Sequence, residues 1–366
     1  MDKRNLRFAV IGGGNGGQTF AGHLSLLGFP VVLYDVVPNT VNAINQQGGI
    51  CLDGAVKGFG RVSATLDMAE ATDGADIIMV VTPAFAHGNV AQKLASCLEP
   101  HQVVVINPGS TFGALEVWSE LRNNGLPNVV AETQTLLYAC RATAPGRVKV
   151  GALKNGVRLA SIPAEKAPGI CQKLGMAFGK RFEPCDSVLV TSLSNINAVV
   201  HPASLFMMTS RIESSGGDFD FYCDGITPSI VKIIEALDNE RRTLGEIAGI
   251  QLESVFDWYK RSYGYQYSSL LDIMRKNEGY RGLKAPRTLL TRYLTEDVPY
   301  GLVPMYLLGK LLSLDMKLFR AFIDLASAIV ERDLEREGRT PEKVGLAGFD
   351  ACDSSSTLAD YLKSLR

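Results

Sequence analysis

Residues 6–17 read LRFAVIGGGNGG, an apolar run that passes directly into a glycine-rich turn. The run over 6–11 is typical of a strand that is buried on both faces of a sheet. Gly12, Gly14 and Gly17 follow with the spacing G-x-G-x-x-G, and the pattern beyond them predicts a helix over 16–27. This order of strand, tight turn and helix predicts a turn that binds a diphosphate.

Further apolar runs continue the pattern through the first half of the chain. They predict strands at 30–35, 76–81, 102–106 and 128–131, with helical stretches between them. Such alternation is typical of a doubly wound parallel sheet, so we predict an N-terminal Rossmann domain of the α/β class. The strand-like text at 146–160 predicts antiparallel strands that extend this sheet.

The second half lacks strand patterns. Apolar residues recur at helical spacing over 228–248, and a second long helix is predicted over 315–337, where Gly338 is expected to end it. We therefore predict an all-helical C-terminal domain. The predicted domains are 1–185, which binds NAD, and 186–366, which carries the substrate and catalytic site.

Composition and charge exclude several classes of protein. Hydrophobic residues make up 46% and charged residues 20% of 366 residues, which excludes a disordered or fibrous chain. The net charge of −1 gives no electrostatic signature of a nucleic-acid or membrane partner. Seven cysteines without a CxxC pair, and four scattered histidines, predict no metal site and reduced thiols in a cytoplasmic protein.

The glycine turn defines the candidate cofactor site. Gly12 makes the turn, Gly14 lets a pyrophosphate approach, and Gly17 lets helix and strand pack closely. Asp35 ends the next strand, where a carboxylate accepts hydrogen bonds from ribose hydroxyls and repels a 2′-phosphate. No Arg or Lys lies between Asp35 and Lys57, so we predict NAD rather than NADP. The alternative is that Asp35 caps the following turn.

Other cofactor contacts are expected at the carboxyl ends of parallel strands, where open α/β sheets bind ligands. We predict cofactor contacts from Asn15 in the glycine turn and from Thr82, Pro83 and Asn107 in the next loops. His87 follows the loop at Thr82, and we interpret it as a histidine on a helix surface.

Asn197 and His201 are the main candidates for catalysis. They are four residues apart and share one face of a helix, which Pro202 is expected to kink beside the histidine. Histidine titrates near neutral pH, as a proton-transfer step requires. A core histidine satisfied by backbone groups is the alternative, but the neighbouring Ser and Asn residues favour a site.

Asp297 is a candidate partner for this histidine. A carboxylate in contact with His201 would orient the imidazole and stabilise its charged form. Asp297 also stands before an apolar helix predicted over 298–312, with Pro299 in its first turn, so an N-cap is an equally good interpretation. The two roles are compatible.

The chain resembles the opine dehydrogenases, the family of octopine/nopaline dehydrogenase and N-(1-D-carboxylethyl)-L-norvaline dehydrogenase. The matching segments are GGGNGG (12–17), TSLSNINAVVHP (191–202), FYCDGITPSIVKIIEALDNER (221–241), WYKRSYG (258–264) and RYLTEDVPYGLVP (292–304). The resemblance implies reductive condensation of an amino acid with a 2-oxo acid, commonly pyruvate, using NAD(P)H. It also implies that His201 and Asp297 are the catalytic pair, that Asn197 belongs to the site, and that Arg292 reaches the cofactor diphosphate when the domains close.

The two substrate carboxylates need cationic or amide partners. Arg141 is our candidate, with a surface or interdomain ion pair as the alternative. The aromatic residues Trp258, Tyr259, Tyr263, Tyr265 and Tyr267 are a hypothesis for the amino-acid pocket, with interdomain packing as the alternative.

Two other functions stay open from the sequence. A dehydrogenase for a single 2-hydroxy or 3-hydroxyacyl substrate shares the domain plan, and a non-catalytic dinucleotide sensor would need only the first domain. The sequence does not distinguish a monomer from a homodimer, nor does it name the amino acid, the 2-oxo acid or the product stereochemistry.

Overall fold

The computed structural model describes residues 6–347, 349 and 358–365. The chain forms two compact units: the first contains the described residues up to Ser192 together with those from Leu362 onward, and the second runs from Leu193 to Tyr361. The sequence analysis placed the boundary at residue 185. Residues just beyond it belong to the first unit because Thr191 and Ser192 donate hydrogen bonds of 2.6 and 2.7 Å to the buried Glu132 carboxylate.

The strands all lie in the first unit. In chain order they are β1 (Phe8–Ile11), β2 (Val31–Tyr34), β3 (Ile50–Gly54), β4 (Gly58–Gly60), β5 (Ser63–Thr65), β6 (Ile77–Val80), β7 (Val103–Ile106), β8 (Val130–Thr133), β9 (Tyr138–Ala144), β10 (Arg147–Leu153), β11 (Val157–Ile162) and β12 (Phe182–Pro184).

Eight of these strands form the main sheet, in the order β12-β11-β8-β7-β6-β1-β2-β5. The six strands from β5 to β8 are parallel, and β11 pairs antiparallel with β8. The chain winds outward in both directions from β1, so the switch in strand order lies between β1 and β6, where open α/β sheets bind their ligands. The predicted α/β fold, a Rossmann-like sheet followed by a helical domain, is confirmed.

The prediction that antiparallel strands over 146–160 extend the main sheet is half right. The strand β11 does extend it, antiparallel to β8, but β10 lies in a second sheet of order β4-β3-β10-β9. Within it β10 pairs parallel with β3 and antiparallel with β9. The sequence analysis did not predict β3 and β4, and so β10 had no partner other than the main sheet.

Helices cover the main sheet of the first unit. They are α1 (Asn15–Leu26), α2 (Pro38–Gln47), α3 (Met68–Thr72), α4 (His87–Leu94), α5 (Gly113–Asn123), α6 (Ala167–Phe178) and α7 (Val188–Leu193), with 3₁₀ turns at Ala84–Ala86 and Ala164–Lys166.

The part of the chain described beyond Pro184 contains no strand, only an isolated bridge between Asp220 and Lys284. Its helices are α8 (Asn197–Met207), α9 (Thr209–Ser215), α10 (Pro228–Ile247), α11 (Val255–Tyr263), α12 (Leu270–Lys276), α13 (Arg292–Thr295), a π-helix (Val298–Leu302), α14 (Val303–Leu311), α15 (Lys317–Val330), α16 (Leu334–Glu337) and α17 (Leu358–Ser364), with a 3₁₀ turn at Glu278–Tyr280. No helix among the described residues is long and apolar enough to cross a membrane.

The long helix predicted over 315–337 is wrong in one respect. Glu331 adopts a left-handed conformation with φ of 54° and ends α15 after Val330. A second short helix, α16, then begins with Asp333, whose carboxylate accepts a hydrogen bond from the Arg336 N–H. Gly338 follows α16 in an extended conformation rather than in the expected left-handed one.

Candidate active site

The turn after β1 needs glycine for two different reasons. Gly12 has φ of 108°, and a Cβ there would lie 2.7 Å from the Val81 carbonyl oxygen. A Cβ on Gly17 would lie 1.7 Å from the Gly12 carbonyl oxygen, so any side chain would push α1 away from the turn. Gly14 differs, because a Cβ there would meet nothing within 4 Å. The space over the start of α1 is therefore open to a ligand.

The carboxylate of Asp35 closes the other side of this turn. It accepts a hydrogen bond from the Gly13 N–H and one of 2.7 Å from the Val37 N–H. Through the bond from Val37, Asp35 caps the following turn, which was the alternative interpretation of this residue. Because a carboxylate has about four acceptor sites, these two bonds leave room for ribose hydroxyls.

A cavity of about 400 Å³ lies beside the turn and Asp35. Thr82 and Pro83 line it, and the buried Thr82 hydroxyl oxygen has no hydrogen-bond partner in the described part of the chain. Val36, Val37 and Phe85 also line the cavity, and about half or more of each side chain is exposed. An adenosine group fits this combination of apolar walls, an acceptor carboxylate and an unpaired hydroxyl.

Three other residues of this unit have roles within the protein itself. The Asn15 side-chain oxygen accepts a hydrogen bond of 2.9 Å from the Ala142 N–H on β9. The buried Asn107 amide donates to the Val105 carbonyl at 2.8 Å, so a cofactor contact from Asn107 would have to come from its backbone. The surface interpretation of His87 is wrong, because His87 is fully buried with the other inward-facing residues of α4.

The second unit brings His201 and Asp297 together. Nδ1 of His201 lies 2.8 Å from Oδ2 of Asp297, and both side chains are less than one-fifth exposed. Asp297 precedes the π-helix but makes no side-chain capping hydrogen bond to it. Asn197 lies one turn before His201 on α8 and is exposed.

Close packing sets the distance between the two elements that carry this pair. Gly301 lies in the π-helix, and a Cβ there would be 2.7 Å from the Ala198 Cβ on α8. The absence of a side chain at Gly301 lets the backbone bearing Asp297 approach the helix bearing His201. Sequence reasoning missed this residue, although it stands in the segment 292–304 that carried the family resemblance.

Two tyrosines that sequence reasoning also missed complete the surroundings of the histidine. The Tyr222 hydroxyl lies 2.9 Å from Nε2 of His201. The Tyr293 ring stacks on the imidazole with centroids 4.1 Å apart. Burial raises the pKa of both phenols, and that of Tyr222 well above its usual value. Both residues lie in quoted family segments, which was the available signal.

Trp258 belongs to a larger group of rings. It is buried and packs edge-on against Tyr259 and Tyr263. Tyr280 joins this group to the histidine, because it donates a hydrogen bond of 3.1 Å to the Tyr259 hydroxyl and stacks on Tyr222 at 4.1 Å. The predicted aromatic cluster is therefore continuous with the surroundings of His201.

Arg292 and Arg141, the two arginines predicted to bind ligands, differ in their contacts. Arg292 begins α13 with an exposed side chain and pairs with the Glu296 carboxylate, which raises the arginine pKa. Arg141 lies on β9 in the first unit, is exposed, and has no ion-pair partner among the described residues.

Comparison with known proteins identifies the chain. Residues 184–330 match the family model for the α-helical domain of NAD/NADP octopine/nopaline dehydrogenase. Residues 7–127 match the N-terminus of NAD-dependent glycerol-3-phosphate dehydrogenase. The opine dehydrogenase of Arthrobacter sp. (strain 1C) is 38% identical over 354 residues, which cover 96% of this chain and 98% of that protein. The chain belongs to the opine dehydrogenase family.

Solved structures of an octopine dehydrogenase share the fold of this chain. The complex with NADH and L-arginine matches with a TM-score of 0.79 and 20% identity, over 99% of this chain and 98% of that one. The complex with NADH and pyruvate matches with a TM-score of 0.77 and 22% identity, over 95% and 97%. The predicted activity, an NAD(P)-dependent oxidoreductase acting on CH–NH bonds of small molecules, is confirmed.

Proposed function

We propose that this opine dehydrogenase condenses an L-amino acid with pyruvate and that His201 and Asp297 move the protons of the reaction. The observation that carries the proposal is the 2.8 Å contact between the His201 Nδ1 and the Asp297 carboxylate. The carboxylate accepts a hydrogen bond from Nδ1–H and so leaves Nε2 as the basic nitrogen. A neutral amine is needed to attack the 2-oxo carbon, and the substrate arrives as an ammonium ion.

His201 takes the proton from this ammonium group, and Asp297 stabilises the imidazolium that results. His201 then holds this proton and can give it to the hydroxyl group that leaves as water when the imine forms. Asn197, one turn earlier on the exposed side of α8, is the proposed amide partner of a substrate oxygen. Binding both substrates at one site beside the cofactor lowers the entropy cost of bringing the three molecules together.

The first unit provides the proposed cofactor contacts. The free N–H groups at the start of α1 and the open space at Gly14 hold the diphosphate, and Gly12 and Gly17 shape that turn. Asp35 accepts from the ribose hydroxyls, while Thr82 and Pro83 line the same cavity. NADH, when bound, supplies the hydride that reduces the imine carbon. The proposal keeps Asn15 and Asn107 as supports of this site and Arg292 as a ligand of the diphosphate.

Separate observations support the choice of pyruvate, the partner of a substrate carboxylate and the wall of the amino-acid pocket. Pyruvate is the 2-oxo acid bound by an octopine dehydrogenase of the same fold. Arg141 supplies an exposed guanidinium without an ion-pair partner in the described residues, which suits a substrate carboxylate. Trp258 and its neighbouring tyrosines supply a wall for the amino-acid side chain.

The six cysteines within the described residues are free, which favours a reducing compartment such as the cytoplasm. Light scattering decides between a monomer and a homodimer.

Two matched variants test the roles of the catalytic pair. His201→Asn removes the basic nitrogen, and Asp297→Asn keeps the shape of the partner but removes its charge. We expect each to lower kcat by roughly 10²- to 10⁴-fold, the usual contribution of general acid–base catalysis. The Kd of NADH, measured by fluorescence titration, should stay within a factor of about three of wild type. A variant with near-wild-type kcat would remove that residue from the proposed mechanism.

A further inference from the structure

Both ring nitrogens of His201 are occupied. Nδ1 contacts Asp297 at 2.8 Å and Nε2 contacts the Tyr222 hydroxyl at 2.9 Å. Because the aspartate can only accept, it fixes the proton on Nδ1, and Nε2 must then accept from the tyrosine. A substrate ammonium therefore has no direct access to the basic nitrogen in this arrangement.

We propose that Tyr222 is a catalytic residue that carries the proton from the substrate amine to His201. The inference rests on the proposed function of His201 and deepens it. The substrate N–H bond breaks and its electron pair stays on nitrogen. That proton forms a new O–H bond on Tyr222 while the original phenol proton moves to Nε2. Tyr222 ends neutral, and the positive charge lies on the imidazole beside Asp297.

The surroundings of Tyr222 suit a relay that stays protonated. The residue is 5% exposed and its ring is held against Tyr280. The phenol groups of Tyr293, Tyr259 and Tyr263 and the Asp297 carboxylate lie nearby, and a negative charge on any of them would oppose a phenolate at Tyr222. Burial adds to this effect and raises the phenol pKa well above its ordinary value. The Tyr222 hydroxyl therefore stays protonated at neutral pH.

Tyr222→Phe tests the relay, since it removes the hydroxyl and keeps the ring. Tyr306→Phe is the matched control, because Tyr306 is a buried tyrosine of the same unit whose hydroxyl contacts Arg320 rather than His201. We expect Tyr222→Phe to lower kcat by roughly 10²-fold or more with little change in the KM of the amino acid. Tyr306→Phe should stay within about threefold of wild type. A Tyr222→Phe enzyme with normal kcat, or with a lower KM because the amine now reaches Nε2 directly, overturns the relay.

The solvent isotope effect on single-turnover NADH oxidation separates a relay from a role in holding the imidazole. Two protons move together in the relay, so the wild-type rate should curve when plotted against the fraction of D₂O. The line should be straight for Tyr222→Phe. A straight line for both enzymes, with an impaired variant, assigns Tyr222 to positioning alone and overturns the proposal. Full activity of His201→Asn would instead defeat the proposed function on which the relay rests.

Discussion

The Asp297 carboxylate lies 2.8 Å from the imidazole of His201, although 96 residues separate them in the chain. The two residues sit on different elements, α8 and the start of the π-helix. The contact depends on how closely these elements pack, and they pack closely at Gly301, where a Cβ would lie 2.7 Å from the Ala198 Cβ. We therefore expect the geometry of the pair to depend on a residue that bears no functional group.

Gly301→Ala should impair catalysis without touching the pair itself. The added Cβ would meet the Ala198 Cβ at 2.7 Å and force the two elements apart. A shift of about 1 Å at a catalytic group can cost roughly 10²-fold in rate. We expect kcat to fall by about 10- to 100-fold and stability to drop by about 1 to 3 kcal/mol, as for other overpacked sites. Steady-state kinetics and urea unfolding measure the two effects.

The double variant Ala198→Gly/Gly301→Ala is the control for this packing argument. It moves the methyl group to the other element, so the close approach is restored. Most of kcat should return, with a residual stability cost of about 1 kcal/mol for glycine within a helix. If the double variant is no more active than Gly301→Ala, the close approach does not control the pair.

Substitution by alanine should have different effects at two glycines of the cofactor turn: it should lower stability at Gly17 and weaken NADH binding at Gly14. Gly17→Ala places a methyl group 1.7 Å from the Gly12 carbonyl oxygen and should lower the melting temperature strongly or prevent folding. Gly14→Ala meets no protein atom, so its melting temperature should match wild type while NADH binding weakens by roughly tenfold. Differential scanning fluorimetry and NADH titration separate the two. Unchanged NADH affinity in Gly14→Ala would place the diphosphate elsewhere.

We expect cofactor choice to depend on Asp35 and on a second residue that the sequence analysis did not consider. Lys93 lines the same cavity as Asp35, and its ammonium group lies 3.4 Å from the Tyr34 hydroxyl. We expect wild type to prefer NADH because Asp35 repels a 2′-phosphate. Asp35→Ser should raise the ratio of kcat/KM for NADPH over NADH by roughly tenfold or more, since like-charge repulsion costs several kcal/mol.

Lys93→Ala in the Asp35→Ser background is the test of the lysine. The gain in NADPH use should disappear if the ammonium group receives the 2′-phosphate, while Lys93→Ala alone should leave NADH kinetics nearly unchanged. A wild-type enzyme that already prefers NADPH would show that our prediction of NAD selectivity is wrong.

A buried lysine predicts how stability depends on pH. Burial lowers the pKa of Lys154 from 10.5 to about 8, and its ammonium group donates to the Thr135 hydroxyl at 2.7 Å. Between pH 8 and 10.5 the unfolded chain binds more protons at this residue than the folded chain does, so its contribution to stability rises with pH.

Lys154→Met removes that contribution. The free energy of unfolding of wild type minus that of Lys154→Met should increase from pH 8 to pH 10, by on the order of 2 kcal/mol at most. Urea unfolding at several pH values measures the difference, which also cancels the opposing titration of buried tyrosines and cysteines. A difference that is constant with pH would mean that Lys154 keeps its ordinary pKa.

Local sequence patterns were enough to predict five of the six parallel strands from β5 to β8 in the main sheet. The strands at Phe8–Ile11 and Ile77–Val80 are apolar throughout, and the glycine turn that joins β1 to α1 has fixed spacing. The short strands β3 and β4 contain glycine and exposed positions, and so carry no comparable pattern. Their pairing with β10 depends on contacts distant in sequence, which local reasoning does not detect.

Prediction of the site residues was limited in the same way, because local sequence does not show contacts between distant residues. His201 and Asp297 were predicted from their chemistry and from the family segments, but Tyr222 and Gly301 make their contacts with neighbours that only folding brings together. His87 is buried because it lies on the inward face of α4. In the sequence, its polar side chain alone had suggested a position on the helix surface.

The most direct test of the account is NADH oxidation with pyruvate, with and without a panel of L-amino acids, followed by mass spectrometry of the product. The account predicts that oxidation requires both substrates and that the product mass equals the amino acid plus pyruvate, less one water and plus two hydrogens. Oxidation with pyruvate alone, yielding a hydroxy acid, would contradict the condensation. NADH binding without turnover on any pair of substrates would contradict catalysis altogether.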